Sequence, residues 1–343
     1  MYPLCSPGRP SAEKPGRGAR RTSEWETSRG APCLAETMTV SPAPTHAFVL
    51  GAGLGTRLRP LTERRPKPLI PVWHRPLITR AFDHLLGAGV EELIVNTHWH
   101  PEAYDSAFPD RSWHGRPLTL RHEPVLLETA GGLANIADLL PADRSFWVYN
   151  GDILATLNLQ PALEHHLASD DLATLILRSS GAEKVVAFDP AGRRVLDLRN
   201  LLGTGIEPTH QFTGLYLCRP GFLDFLTPGK IESTRTIFLD IIRRTGRVGG
   251  AVCDDGLWLD LGDRASYLEA HRQLVPAQPD PVPAGVTCRG TCAIAPTAIV
   301  EPGAELDDCI LWPGSRVTSD ARLTRCIVRD GQTASGTVTD QDF

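Results

Sequence analysis

The sequence predicts an α/β protein: a mixed, mostly parallel, Rossmann-like sheet domain followed by a short left-handed parallel β-helix. Two observations carry this. Between His46 and about Leu274, strand-like runs alternate with segments of helical spacing, the order of strand, crossover and strand found in parallel sheets covered on both faces. From Thr291 the chain repeats itself with a period of 17 residues: TCAIAPTAIVEPGAELD (291–307), DCILWPGSRVTSDARLT (308–324), then RCIVRDG.

Residues 1–45 are rich in Pro, Gly, Ser, Thr and Arg without apolar periodicity, so they are read as a disordered extension unable to repay the entropy of ordering. Met38 is the only methionine besides Met1 and is read as the true start. Arg20-Arg21 has no apolar segment after it and is not read as an export signal. No apolar run reaches the roughly 18 residues of a membrane helix, and a net charge of −5 offers no bulk attraction for nucleic acid, so neither a membrane nor a nucleic-acid partner is expected. Eight cysteines spread over 343 residues suit reduced thiols, and the expected compartment is the cytoplasm.

The sheet domain is placed at 46–275. It opens with AFVL (Ala47–Leu50), followed by the helix-patterned PLITRAFDHLLGAG, ELIVNTHW, a short helix near Glu102, LTLRHEP, the helix TAGGLANIADLL and FWVYNGD. Open parallel sheets bind ligands beyond the carboxyl ends of their strands, so the loop after AFVL and the NGD at 150–152 are expected to face one crevice. His98, Trp99 and His100 are read as a loop following ELIVN, not as a metal site.

A proline-rich linker (276–287) leads to the β-helix at 288–333, with 334–343 as a tail. Apolar positions at Ile294, Val300 and Leu306, then Leu311, Val317 and Leu323, then Val328 suit three short strands per coil with stacked interior ladders. Cys292, Cys309 and Cys326 form one such ladder. With Cys288 they could be thought a zinc set, but no CxxC pair exists. Trp312 is placed on the surface or at a contact. The open coil edges make the β-helix an oligomerisation or regulatory element, and a homo-oligomer is expected.

The loop GAGLGTRLRPLTERRPKP (51–68) decides the chemistry. Glycines between a strand and a helix let backbone N–H groups approach phosphate, and a helix N-terminus adds positive partial charge. A Walker A loop fails because the lysine comes twelve residues after Gly55 instead of directly after it, and a dinucleotide fingerprint fails because Thr56 replaces its last glycine and Pro60 would break the helix. The pattern GxGTRLxPLTxxxPKPL matches throughout.

On this signature, with Gly51, Gly53, Gly55, Thr56, Arg57, Pro60, Leu61, Thr62, Pro66, Lys67 and Pro68 in place, the chain resembles the sugar-1-phosphate nucleotidyltransferases, or NDP-sugar pyrophosphorylases. The resemblance continues through LETAGG (127–132), NGD (150–152), FTGLYL (212–217) and WLDLGDRASYLEA (258–270), about 230 residues in all. LETAGG is similar to the N-acetylmuramate 1-phosphate uridylyltransferase branch, with mannose-1-phosphate guanylyltransferases and thymidylyltransferases close by.

The resemblance implies joining a nucleoside triphosphate to a sugar 1-phosphate with release of pyrophosphate, for cell-envelope or polysaccharide synthesis. It assigns Mg²⁺ to Asp152 and Asp260, the leaving phosphates to Arg57, and the α-phosphate or the sugar phosphate to Lys67. Nucleotide contacts fall to Leu50, Gly51, Gly53, Gly55, Thr56, Thr129, Ala130 and Gly131, and sugar contacts to Asn150, Thr213 and Gly214. The bland alternatives are a turn-capping role for Asp152 and solvated surface cations at Arg57 and Lys67. Arg59, Arg64 and Arg65 are left as surface charges. Glu128 replaces a glycine frequent in the family and either accepts from the base or caps its helix.

The family's sugar-phosphate lysine is missing from VLDLRNLLGTGIEPTHQFTGLY, which leaves Arg199 or Lys184 as substitutes. An acyltransferase activity of the tail is rejected, since no histidine follows His271. A non-catalytic regulatory subunit is the alternative, against which stands the presence of Arg57, Lys67, Asp152 and Asp260 together.

Overall fold

The computed structural model describes residues 42–276 and 280–343, so the expectations for the N-terminal extension and for Met38 lie outside the described residues. The described part of the chain forms one compact unit.

The strand His46–Leu50 reads as an unbroken apolar run because both its faces are covered: Ala47, Phe48 and Val49 are fully buried. It pairs in parallel with Glu92–Thr97 on one side and Phe146–Asn150 on the other. These strands form the middle of a ten-stranded sheet in which Gln211–Cys218 runs antiparallel between Phe146–Asn150 and Ala173–Arg178. Alternate side chains supply two separate cores. Ala47, Val49, Trp147 and Tyr149 meet Ile78, Phe82 and Leu85 of the helix Ile78–Gly87, whereas Phe48 and Val148 meet Leu133 and Phe238 from the helices Glu128–Asn135 and Thr234–Thr245. The helix predicted over TAGGLANIADLL stops at Asn135 and resumes as a 3₁₀ turn, Ala137–Leu139.

The repeat forms a three-sided coil. Leu306 aligns with Leu323, Ile310 with Ile327 and Val300 with Val317, each by the 17-residue step, and Cys309 and Cys326 are buried in one ladder. The next step shortens to 15 residues: Leu323 aligns with Val338, and the strand Thr337–Thr339 completes the face. The segment assigned to a tail is therefore part of the coil.

Of the two places expected for Trp312, the structure gives the contact. The residue is 2 % exposed and lies in a third core with Leu58, Leu61, Ile70, Tyr267 and Ile327, which joins the glycine-rich loop, the helix Arg264–Gln273 and the β-helix. Its Nε1 donates to the Tyr267 hydroxyl at 3.0 Å, which in turn donates to the Pro71 carbonyl. Arg65 stacks its guanidinium 5.4 Å from the Trp312 ring and pairs with Asp330. Arg329 donates to the Pro60 carbonyl at 3.0 Å and to the Phe343 carbonyl at 2.6 Å. The coil is thus built against the loop it follows by over two hundred residues in sequence.

Candidate active site

Three parallel strands end side by side: Leu50 is in register with Asn96 and with Asn150. At that edge Gly51 donates its N–H to Asn96 Oδ1 at 2.7 Å and accepts from the Tyr104 hydroxyl at 2.7 Å. A Cβ at this position would fall within 2.6–2.8 Å of Asn96 O, Val95 Cγ1 and that hydroxyl, so glycine is required by close approach. Asn96 passes the network on through Nδ2 to Glu123 Oε1 at 2.8 Å, and Glu123 accepts from Leu127 N–H. Burial pushes the Glu123 carboxyl up, against the pull of these two donors. Neither Asn96 nor Glu123 stood out in the sequence; the only signal was a polar residue at the end of each apolar strand.

The loop itself continues into a single 3₁₀ turn, Thr56–Leu58, and not into a helix. The loop therefore brings its positive charge through side chains and not through a helix of its own, as the sequence suggested. Gly55 takes φ 61°, and its carbonyl accepts from Thr62 Oγ1 at 2.8 Å. His98, Trp99 and His100 brace the site from the side: Trp99 Nε1 donates to Thr62 O at 3.2 Å, and His98 Nδ1 lies 2.7 Å from Glu123 O.

Lys67, 5 % exposed, donates from Nζ to Asp152 Oδ2 at 2.7 Å and reaches Asp260 Oδ1 at 3.4 Å. The strand Trp258–Asp260 pairs with Ile153–Ala155 so that Asp260 lies beside Ile153, which brings the two acids together. Arg57 lies over Gly262, where a Cβ would come within 3.1–3.2 Å of its guanidinium nitrogens.

These groups line two cavities that share Asn150. The first, about 490 Å³, is lined by Leu50, Gly53, Gly55, Thr56, Arg57, Lys67, Thr129, Asn150 and Asp152, with Glu128 held at φ 59° on its rim. Gly51 lies buried behind it. Ala130 and Gly131 are not among its lining: both donate their N–H to Glu232 O, at 2.8 and 3.2 Å. A Cβ on Gly131 would fall 2.3 Å from Lys230 O. These two residues seat the loop 230–234 against the helix instead of presenting donors to the cavity.

The second cavity, about 530 Å³, is lined by Asn150, Thr213, Gly214, Trp258 and Asp260, together with Arg178 and Gln211. Gly214, at φ 81°, leaves room for Asn150, whose Nδ2 would lie 2.7 Å from a Cβ there. Thr213 spends its hydroxyl on Ile176 O, and its carbonyl accepts from Trp258 Nε1 at 2.9 Å, so it fixes the cavity floor. Lys184 and Arg199 are not among the lining residues, and Arg199 pairs with Glu183.

A family model described as nucleotidyl transferase matches residues 46–276. Mannose-1-phosphate guanylyltransferase of Mycobacterium tuberculosis is 30 % identical over 289 residues, which cover 83 % of this chain and 80 % of that protein. N-acetylmuramate alpha-1-phosphate uridylyltransferase of Neisseria meningitidis is 30 % identical, over 65 % of this chain and 96 % of its own length. In fold, the chain is similar to a Bacillus anthracis protein assigned as a glucose-1-phosphate thymidylyltransferase and solved with sucrose. The TM-score is 0.57 at 21 % identity, covering 66 % of this chain and 93 % of that one.

Proposed function

The chain belongs to the nucleotidyl transferase family, and we propose that it joins a nucleoside triphosphate to a sugar 1-phosphate, giving a nucleotide sugar and pyrophosphate. The observation that carries this reading is the contact of Lys67 with both Asp152 and Asp260 at the meeting of two cavities. One cavity has a glycine loop and cations suited to a triphosphate; the other has polar groups on a rigid floor suited to a sugar.

An oxygen of the sugar phosphate attacks the α-phosphorus, and the bond to the β-phosphate oxygen breaks as pyrophosphate leaves. A phosphate monoester has a second pKa near 6, so the nucleophile is already an anion at neutral pH and requires no base. The chain's own contribution is then positioning and charge. Lys67, held stiff by Pro66 and Pro68 and by two carboxylates, faces the α-phosphate. Arg57 faces the departing phosphates.

Asp152 and Asp260 fit a divalent cation, because one ammonium already reaches both. Among the described residues no cluster of three or more His, Cys, Asp or Glu is placed to hold a metal. That suits Mg²⁺, which takes one or two carboxylates and completes its shell from phosphates and water. When bound, Mg²⁺ supplies charge neutralisation to the phosphates.

The test is pyrophosphate release with Mg²⁺ from GTP, UTP, dTTP, CTP and ATP, each against mannose 1-phosphate, glucose 1-phosphate and N-acetylmuramate 1-phosphate. Turnover that requires a defined pair and is lost in Asp152→Asn is the expected result. Nucleotide binding without turnover across the panel overturns it in favour of a regulatory subunit.

A further inference from the structure

We propose that Arg178, seated beside the buried amide of Gln211, receives the phosphate of the sugar 1-phosphate in place of the absent lysine. This rests on the functional reading above and names the residue that completes it.

The second cavity presents acid to an incoming dianion: Asp260 lines it, and so does Glu183. Lys67 is engaged by Asp152 and Asp260, and Arg57 lines the other cavity. Arg178 is the cation among the residues that line the sugar cavity. It ends the strand Ala173–Arg178 in register with Gln211 on the neighbouring strand, so the two stand side by side at the cavity wall.

The guanidinium is anchored through both terminal nitrogens to the loop 254–256. Its Nη1 donates to Gly256 O at 3.2 Å and its Nη2 to Asp254 O at 3.4 Å. Asp254 also fixes the next residue, accepting from Ser179 N at 2.9 Å and Ser179 Oγ at 2.5 Å. Two of five donors are used in this way. Nε–H and one N–H on each Nη remain, enough for a phosphate to be met by more than one donor of the same planar group.

Gln211 stands beside Arg178: it is 8 % exposed, it lines the same cavity, and its Oε1 lies buried under Gly181, where a Cβ would fall 1.6 Å from that oxygen. The packed amide forms part of the wall beside the Arg178 side chain.

Initial rates of wild type, Arg178→Ala and Arg178→Lys, with the nucleotide fixed and the sugar 1-phosphate varied and then the reverse, test the assignment. The expected result is a rise of about ten- to a hundredfold in KM for the sugar 1-phosphate in Arg178→Ala. KM for the nucleotide should stay within about twofold, and Arg178→Lys should fall between because it keeps the charge and loses the fork. An unchanged KM for the sugar 1-phosphate, or an equal rise for both substrates, overturns the proposal. If wild type turns over no pair, the functional reading fails by itself. Calorimetric titration with mannose 1-phosphate then decides Arg178: binding by wild type that Arg178→Ala abolishes sustains the phosphate assignment, and binding that is absent or unaffected overturns it.

Discussion

Arg329, on the third turn of the β-helix, donates to the carbonyl of Pro60, in the loop that carries Arg57 and Lys67. The same guanidinium lies 3.4 Å from Glu63 Oε2, and the neighbouring Asp330 pairs with Arg65. Arg329→Ala leaves the Pro60 carbonyl without this donor and frees the loop on one side. The expected outcome is a three- to tenfold loss of kcat/KM, on the order of 1 kcal/mol. Steady-state kinetics together with a thermal melt distinguish a loosened loop from a destabilised coil; a melt shift with unchanged kinetics would refute the coupling.

The two acids gathered by Lys67 are the basis of a metal prediction. Chelation with EDTA should abolish turnover, and added Mg²⁺ should restore it. Asp260→Asn should raise the Mg²⁺ concentration needed for half-maximal rate at least about tenfold. Titrating Mg²⁺ at saturating substrates reads this directly, and a variant with wild-type Mg²⁺ dependence would remove Asp260 from the metal's surroundings.

Gly262 lies beneath the Arg57 guanidinium, at a distance where a methyl group must displace it by a few tenths of an ångström. Because the clash falls on the far end of a flexible side chain, Gly262→Ala should change stability by less than about 1 kcal/mol. The displaced guanidinium should nevertheless cost about tenfold in kcat/KM for the nucleotide. Urea unfolding and nucleotide-dependent rates on the same variant separate the two effects.

His271 predicts a pH dependence of stability. It is 1 % exposed, its Nε2 accepts from Trp73 N–H at 3.2 Å, its Nδ1 faces Tyr267 O at 2.9 Å, and burial holds its pKa down to about 4. The folded state thus keeps the ring neutral where the unfolded chain, near 6.5, takes up a proton. The unfolded state binds more protons between those values, so stability falls as pH drops from about 6.5 toward 4, by up to about 3 kcal/mol. Urea melts at pH 7 and pH 5 should show a smaller difference for His271→Gln than for wild type; identical slopes would contradict the assignment.

How far the sequence could be read follows from where each relationship is stored. The glycine loop was legible because phosphate chemistry requires particular residues in one contiguous stretch. The repeat was legible for a similar reason: stacking imposes a period. Arg178 and Gln211 were not, since only the register of two antiparallel strands makes them neighbours. Asn96 and Glu123 likewise form a network across strands. The choice between surface and contact stayed open for Trp312 because a tryptophan on a coil shows its burial only once the partner surface is known, and the final coil was missed because its step shortens.

Lys67 meets Asp152 across 85 residues and Asp260 across 193. Contacts of such sequence separation close late, since the entropy of large loops must be met before they form. No fragment that stops short of residue 260 contains the three charges, and no partly folded intermediate that lacks the strand Trp258–Asp260 can assemble them. The site is in this sense a record of completed folding: during refolding, catalysis should emerge with the last structural phase, and an interrupted chain should be inert before it is unstable.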